Sequence, residues 1–353
     1  MLPSFVPSLP DGSETGRVLA VDLGGTNFRV FLFDFASQRA AIVQQRSFEV
    51  PRTVMTGTSE VLFDFMAACL RTFCDQHDEL CNGVTLPLGF TFSYPMKQTG
   101  IRQASLLRWT KNYTATGVIG EDVVILFERA IERRDMLNIH TMMINTEWGA
   151  FGEGADGEYF RNDFDIVVDN ASTHPGEYNF DKLVAGLTLG ELVRLVLLRL
   201  KDDGCVFTSA DACAPMALTE PYCFLSQHVT AILRDRTPDL QTVRNILKDH
   251  GVTNVSVNDL RVTRCVCRVI SRRSAWLVAA GAAALLDRID KRHCTIGVDG
   301  TLFAQHPHYA EWLKEKILSL VANPVEVNIV RAGDGSGKGA ALVALIAENM
   351  NLQ

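Results

Sequence analysis

One short polar turn near the start of the chain carries the residues best suited to chemistry. Residues 18–34 read VLAVDLGGTNFRVFLFD, which is two strand-like apolar runs joined by a turn. Paired glycines allow positive φ and leave backbone N–H groups uncovered, so such a turn can hold a phosphate group. The turn residues that we single out are Asp22, Gly24, Gly25, Thr26, Asn27 and Arg29. We favour a phosphate-binding turn over an ordinary glycine hairpin, because so many polar residue types crowd it.

A second candidate lies near the C-terminus, where a strand-like run at 325–330 leads into RAGDGSGKG and then into a helical run at 340–349. A Walker A loop is excluded, because Ala332 and Gly339 stand where that motif needs glycine and serine or threonine. A dinucleotide fingerprint is excluded, because only 13 residues follow Ala340. The remaining interpretation is a helix start whose amides and serine hydroxyl hold phosphate or ribose, with close-packing glycines as the alternative. Its residues are Gly335, Ser336, Gly337 and Lys338.

A third polar turn, Asp299-Gly300-Thr301, follows the strand-like run at 294–298. Three such turns at strand ends suggest one nucleotide cleft between two sheets. Phosphoryl transfer there needs positioning, Mg²⁺ and a base on the acceptor hydroxyl. Asp22, at the end of its strand, can face a phosphate-bound Mg²⁺ either directly or through water.

Alternating helices and strands are needed to position these turns, and the apolar patterns predict them. The fold class is therefore α/β. Strands are predicted at 18–21, 28–33, 84–92, 144–151, 294–298 and 325–330, and helices at 59–77, 121–136, 183–200, 229–250 (broken at Pro238), 257–290, 307–321 and 340–349.

Composition limits the classes of function. A chain of 353 residues suggests two domains, and its net charge of −7, with no basic cluster, argues against nucleic-acid binding. The nine scattered cysteines suggest neither zinc nor a disulfide framework. We see no signal peptide, and the apolar stretch at 275–286 is too short to span a bilayer, so we expect a cytoplasmic protein without a membrane segment. The oligomeric state is not predicted.

The chain resembles the hexokinase family over nearly its whole length. The motifs that carry the resemblance are LPDGSETG, DLGGTNFRV, LPLGFTFSYP, WTKNY, NTEWGAFG, HPGEYNFDK, GLTLGELVRL, GVDGTLFAQHP and GDGSGKGAAL. The resemblance implies a two-domain actin-like ATPase (ribonuclease H-like) fold, with a small domain at 1–140 and a large domain at 141–353. It also implies transfer of the γ-phosphoryl group of Mg-ATP to the 6-hydroxyl of glucose or a related hexose, so ATP and Mg²⁺ are expected.

The resemblance assigns roles to the residues singled out above and adds a set of sugar contacts. It makes the first turn a phosphate loop, with Asp22 near Mg²⁺ through water, and gives Asp299 to Thr301 and Gly335 to Lys338 to the nucleotide. The sugar contacts that it implies are Ser93, Thr110, Lys111, Glu147 and Asp181. Asp181 departs from the pattern, because the family has a glutamate there and aspartate is one methylene shorter.

The larger departure lies between Lys111 and Glu147. There the family has an Asn-Asp pair whose aspartate is the general base, and a second, Gly-Thr-Gly phosphate loop. This chain has neither, and several dozen residues are missing near 140–143. The carboxylates considered as replacements are Asp135, Asp163 and Asp259, and none is credible, since Asp259 reads as part of a helix cap. We therefore predict no catalytic base.

The missing segment should also carry the last strand of the first domain, an interdomain helix and two strands of the second sheet. We accordingly expect an incomplete second sheet and little or no phosphotransferase activity. The alternatives are a non-catalytic pseudokinase that binds sugar or nucleotide, and a truncated product of splicing or of an erroneous gene prediction.

Overall fold

The structure is a computed structural model. It describes residues 12–35, 41–77, 86–134, 139–144, 149–151, 155–208, 217–333 and 335–350. The chain divides into two compact units, unit 1 with Met1–Ala150 and Asp334–Gln353, and unit 2 with Phe151–Gly333. This division differs from the predicted domains at 1–140 and 141–353, because the C-terminal segment belongs with the N-terminal one.

A five-stranded sheet forms the centre of unit 1, in the order β3-β2-β1-β4-β7. The first three strands are antiparallel, whereas β4 and β7 run parallel to β1. The strands are β1 (Arg17–Leu23), β2 (Asn27–Asp34), β3 (Ala41–Glu49), β4 (Leu86–Phe92) and β7 (Ile139–Ile144), and a separate hairpin joins β5 (Met96–Gly100) to β6 (Gln103–Leu106). The polar turn at the end of β1 therefore lies at the same sheet edge as the carboxyl end of β4.

Helices cover both faces of this sheet. They are α1 (Arg52–Met55), α2 (Ser59–Gln76), α3 (Val123–Glu132) and α12 (Gly335–Asn349). Leu19 and Val21 of β1 pack in one core with α2 and α3, while Val18 and Ala20 pack with α12 in another. Because β1 is buried on both faces, its sequence is continuously apolar rather than alternating. The alanine-rich start of α12 is what attaches the end of the chain to unit 1.

Unit 2 is mainly helical. Its helices are α4 (Asp163–Asn170), α5 (Asn179–Val184), α6 (Gly186–Asp202), α7 (Ser226–Arg234), α8 (Gln241–Asp249), α9 (Val257–Ile289), α10 (Thr301–Gln305) and α11 (Tyr309–Leu320), with 3₁₀ turns at Ala155–Phe160 and Ala217–Thr219. Two parallel strands, β8 (His293–Val298) and β9 (Glu326–Arg331), form the sheet in the described part of this unit. No residue of β8 is fully buried. The incomplete second sheet expected from the sequence stays a prediction.

Most predicted elements agree with the structure, but β3, β5 and β6 were not predicted, and the start of α12 and the strand near residue 144 lie elsewhere than predicted. We predicted a strand over 144–151, whereas the structure has β7 at Ile139–Ile144 and a turn at 149–151, and residues 145–148 lie outside the described part. β7 pairs in parallel with β4 from Leu86 to Thr91. The backbone groups at that edge of β4 thereby gain partners, which is the physical reason for a strand at this position.

The longest helix, α9, is apolar along much of its length. By length and composition alone, its stretch Val257–Arg288 would satisfy the criteria for a membrane span, in contrast to the shorter stretch at 275–286 weighed in the sequence. The central helix of a globular unit meets the same criteria. Here α9 packs against α6, α8 and α11.

A charged network around Asp169 makes the stability of unit 2 depend on pH. Asp169 accepts hydrogen bonds from Lys182 Nζ at 2.5 Å and from the Gly176 amide at 3.0 Å, and Arg161 Nη2 lies at 2.8 Å. Burial alone would raise the pKa of Asp169, but these hydrogen bonds and charges outweigh it and lower the pKa from its ordinary 3.8. Because the pKa is lower in the folded state, this stabilisation is present above pH 3.8 and is lost as the pH falls through the folded value.

We expect Asp169→Asn to show this loss. The variant unfolds at a lower temperature than the wild type at neutral pH, and the gap narrows as the pH falls from about 5 to about 2, since the wild type then loses the same charge. Thermal unfolding followed by circular dichroism measures the gap. Asp203→Asn is the control, because Asp203 forms only the exposed pair with Arg199. A gap that stays constant with pH would rule out this role for Asp169.

Candidate functional site

The turn between β1 and β2 is closed by hydrogen bonds of its own backbone. The Gly24 amide donates to the Asn27 carbonyl at 3.0 Å, and the Tyr94 hydroxyl donates to the Gly24 carbonyl at 2.9 Å. Burial, with the neighbouring Tyr113 and Asp22, raises the pKa of Tyr94 well above its ordinary value, so its hydroxyl stays protonated and remains a donor. These two hydrogen bonds fix the Gly24 amide and the Gly24 carbonyl of the turn.

Asp22 links this turn to the start of α12. Its side chain is nearly buried, its Oδ2 accepts a hydrogen bond from Ser336 Oγ at 3.4 Å, and Arg29 Nη1 lies 3.7 Å from the same oxygen. The Thr91 hydroxyl donates to the Ser336 carbonyl, also at 3.4 Å. Two of the three polar turns that the sequence singled out therefore meet within unit 1.

The glycine-rich segment before residue 340 is helical rather than a loop. We predicted that the helix begins at Ala340, whereas α12 begins at Gly335, so Gly335 to Lys338 form its first turn. The first amides of a helix have no partner within it, and they favour bound anions. Gly337 also has a packing role, because a Cβ there would lie 2.7 Å from the Phe31 ring. The Lys338 side chain is exposed.

Ser93 and Lys111 lie together beside the first turn. The Ser93 amide donates to the Leu23 carbonyl at 3.3 Å, and Lys111 Nζ donates to the Ser93 carbonyl at 2.9 Å. Lys111 Nζ also lies 5.0 Å from the centre of the Tyr94 ring. Lys111 has a φ of 59°, a left-handed conformation that side chains other than glycine seldom adopt. Six other non-glycine residues in the described part of the chain share this conformation, so it shows that the surroundings constrain Lys111 and does not by itself indicate a function.

The neighbouring Thr110 is the most informative polar residue of this group. Its side chain is 4% exposed, and its Oγ1 has no hydrogen-bond partner among the residues that the structure describes. A buried hydroxyl without a partner costs free energy, and most buried polar atoms in proteins are satisfied. Thr110 Oγ1 is therefore available for a polar ligand.

Sequence analysis missed two residues that hold the site together. Thr91 contacts the start of α12, and Tyr94 fixes the Gly24 carbonyl. The only signal for Tyr94 was its place beside Ser93. Thr91 pairs with Asp22 in the parallel register of β1 and β4, which no local sequence pattern reveals.

The other predicted site residues lie elsewhere. Asp299, Gly300 and Thr301 stand in unit 2 between β8 and α10, where the Gly300 amide donates to Asp299 Oδ1 at 2.8 Å and Gly300 has a φ of 128°. Asp181 lies in the first turn of α5, also in unit 2. Glu147 is outside the described residues. Their predicted role in one shared cleft stays a prediction.

Two of the carboxylates considered as a replacement base are at helix starts. Asn162 caps α4, which begins at Asp163, and its side chain accepts from the amides of Phe164 and Asp165. Asp259 closes the capping box of α9 with Ser256 and also accepts from the Phe207 amide at 2.9 Å. The predicted cap role of Asp259 is confirmed. Asp135 lies outside the described part of the chain.

The side chains of this site could bind Mg²⁺ only if a bound ligand supplied further oxygen atoms. Within the described ranges no group of three or more His, Cys, Asp or Glu residues could hold a metal ion. Mg²⁺ is commonly held by one or two carboxylates, several waters and the phosphates of a substrate. Asp22, a single carboxylate next to the phosphate turn, fits that arrangement.

The sequence comparisons with known proteins all indicate the same family. A sequence model of hexokinases matches residues 128–346, and a second hexokinase model matches residues 1–151. The chain is similar to a hexokinase of Brugia malayi, with 36% identity over 99% of this chain and 70% of the relative. It is 35% identical to human hexokinase-2 over 98% of this chain and 43% of the relative, so it spans less than half of the human protein.

The structure resembles solved hexokinases. A hexokinase from Schistosoma mansoni complexed with glucose superposes with a TM-score of 0.88 and 32% identity, over 98% of this chain and 88% of that one. A second hexokinase crystal structure, at 24% identity, superposes with a TM-score of 0.78, which supports the fold alone. The fold is therefore the actin-like ATPase fold expected from the sequence. From its motifs, fold and relatives, this chain is a member of the hexokinase family.

Proposed function

We propose that unit 1 binds a hexose next to the phosphates of Mg-ATP, and that this chain transfers the phosphoryl group to the sugar 6-hydroxyl poorly or not at all. The observation that carries the binding part is Thr110 Oγ1, a buried hydroxyl without a partner among the described residues. The transfer part follows from residues that the sequence lacks.

The sugar side of the site combines three neighbouring polar residues. Thr110 offers a hydroxyl, Lys111 an ammonium held near Ser93, and Ser93 a half-buried hydroxyl. Sugar hydroxyls both donate and accept hydrogen bonds, so such a set suits them. The glucose bound by the Schistosoma mansoni hexokinase supports a hexose as the ligand. Glu147 would add a further contact in this proposal.

The phosphate side is formed by the first turn and the first turn of α12. The Gly25 amide and the helix start at Gly335 to Lys338 would hold phosphate oxygens. Asp22 would hold Mg²⁺ through water, and the ion would neutralise charge on the phosphates. Ser336, already bonded to Asp22, places the helix start against that carboxylate.

The proposed impairment of phosphoryl transfer follows from the segment after α3, which lacks the Asn-Asp pair and the second phosphate loop of the family pattern. Asn145 and Thr146, which follow β7 in the sequence, open the NTEWGAFG motif, and no Asn-Asp pair stands between Lys111 and Glu147. The alignment with the Brugia malayi protein is 408 positions long, 55 more than the 353 residues of this chain. The two family models overlap at residues 128–151, the segment in which we infer the missing residues. The longer alignment supports residues missing from this chain relative to that protein, and the sequence pattern is what places them in this segment.

A pseudokinase is the second candidate function, favoured by the retained cluster of Ser93, Thr110 and Lys111. Such a protein would bind sugar or nucleotide without turnover. A truncated product without a role of its own would carry the same residues only by descent. Binding measurements on the folded chain separate these cases from one another.

Thr110→Val is expected to abolish most hexose binding without loss of stability. Valine has nearly the same shape as threonine, and the hydroxyl that it removes has no partner in the described structure. The free energy of unfolding should therefore stay the same or rise, whereas the affinity for glucose should fall about tenfold or more. Calorimetric titration with glucose and urea unfolding measure the two effects.

Thr263→Val provides the matched control. Thr263 is equally buried, but its hydroxyl donates to the Asp259 carbonyl at 2.8 Å in unit 2. Its replacement should cost about 1 kcal/mol of stability and leave glucose binding unchanged. Unaltered glucose affinity in Thr110→Val, with the wild type binding normally, would remove Thr110 from the proposed site.

A further inference from the structure

Unit 2 has a groove whose lining contains none of the site residues described above. It has a volume of about 930 Å³ and runs between α9, α11 and the segment after α7. Its lining includes four arginines of α9 and two tryptophans, which are Arg261, Arg264, Arg268, Arg272, Trp276 and Trp312. Sites for small ligands commonly enclose about 300–1,000 Å³, so this groove is large enough for one.

The four arginines form a single stripe along the helix. They are spaced by three, four and four residues, which places them on one face of an α-helix. At a rise of about 1.5 Å per residue, the backbone from Arg261 to Arg272 extends about 16 Å. The stripe thus presents a row of guanidinium groups rather than a single positive point.

These charges are not neutralised by the protein. None of the four arginines forms an ion pair within 4.0 Å with a carboxylate in the described part of the chain. Arg273, which is next in sequence but does not line the groove, pairs with Asp165 at 2.6 Å. The acidic residues in the groove lining are Glu311 and Glu315, and the former lies 4.0 Å from His308. Four cations against two carboxylates leave a positive groove on a chain whose net charge is −7.

Trp276 holds two cations at one end of the stripe. The Arg272 guanidinium carbon lies 4.8 Å from the centre of the Trp276 ring, and Lys316 Nζ lies 5.1 Å from it. Cation–π contacts orient a cation without cancelling its charge. Both groups therefore stay available to an anion.

We propose that this groove binds a small polyphosphate anion, such as a linear triphosphate or the phosphate tail of a nucleotide. Guanidinium groups bind phosphate oxygens through two parallel hydrogen bonds, and neighbouring arginines of the stripe are about 5–6 Å apart at Cβ. Several linked phosphates carry more charge and contact more of these arginines than a single orthophosphate does, which favours a polyphosphate. The inference does not rest on the proposed hexose site, since none of those residues lines the groove.

Inorganic tripolyphosphate is the probe, and calorimetric titration of the full chain measures its affinity. We expect the double variant Arg264→Ala/Arg268→Ala to bind it about tenfold more weakly or worse, because charged hydrogen bonds are lost. Arg288→Ala is the matched control, an exposed arginine of the same helix outside the groove, and should bind like the wild type. Equal affinity in the double variant, or a loss caused instead by Lys338→Ala in unit 1, would overturn the proposal.

The rate at which Cys265 is alkylated reports ligand binding in the groove without any substitution. It lines the groove and is exposed, whereas Cys205 is exposed elsewhere in unit 2. Tripolyphosphate and ATP should slow alkylation of Cys265 by iodoacetamide about threefold or more, while adenosine should not and Cys205 should react at an unchanged rate. Peptide mass spectrometry measures both rates. Protection of Cys265 by a hexaglutamate peptide but not by tripolyphosphate would instead assign the groove to an acidic peptide.

Discussion

Gly89→Ala is expected to destabilise unit 1 by about 1–3 kcal/mol, although alanine is otherwise the better residue in folded backbone. Gly89 lies in β4 directly beneath α12. A Cβ at this position would lie 2.3 Å from the Ala340 carbonyl oxygen and 2.9 Å from its Cβ. Because the obstacle is helix backbone rather than a flexible side chain, α12 must move away from the sheet.

The movement of α12 also reaches the candidate site. α12 begins with the residues that contact Asp22 and Thr91, so the Ser336 contacts should weaken together with the packing. Urea unfolding followed by circular dichroism measures the loss of stability. Gly100→Ala is the matched control, since its nearest new contact, at 3.7 Å, is the end of the flexible Gln103 side chain. A Gly89→Ala variant as stable as Gly100→Ala would contradict the packing described for α12.

Local patterns in the sequence were sufficient to predict most elements. The β1–β2 hairpin, the long helix at 257–289 and the break at Pro238 follow from glycine, apolar periodicity and proline, which act over a few residues. The phosphate turn was recognisable for the same reason. Its glycines and polar residues are neighbours in the sequence, so a short segment contains all the residues of the turn.

Contacts between distant residues were not predictable from such patterns. Asp22 and Ser336 are 314 residues apart, and only the packing of α12 on the sheet brings them together. The left-handed conformation of Lys111 and the missing partner of Thr110 likewise depend on surrounding elements. The α12 start was misplaced because glycine is a poor helix former, and packing against Phe31 outweighs that preference.

The strand before the NTEWGAFG motif lies earlier in the chain than the apolar pattern predicted. Apolar residues alone could not decide between 139–144 and 144–151, since both stretches suit a strand. Pairing with the open edge of β4 decides it, and that edge exists only in the folded sheet.

We also expect this chain to phosphorylate glucose slowly. A positioned general base contributes about 10²–10⁴ to the rate of such a reaction. Loss of a second phosphate loop adds to this deficit, because phosphoryl transfer depends on positioning and charge stabilisation. We therefore expect this chain to phosphorylate glucose at least about 100-fold more slowly than a hexokinase that contains both.

The direct test is a coupled assay of glucose phosphorylation with Mg-ATP, run beside the Schistosoma mansoni hexokinase on a sample of this chain that binds glucose in calorimetry. Our account predicts saturable glucose binding together with a rate at least about 100-fold below that of the reference enzyme. A rate within a few-fold of the reference enzyme would show that another group serves as the base, and would contradict the proposed impairment of phosphoryl transfer.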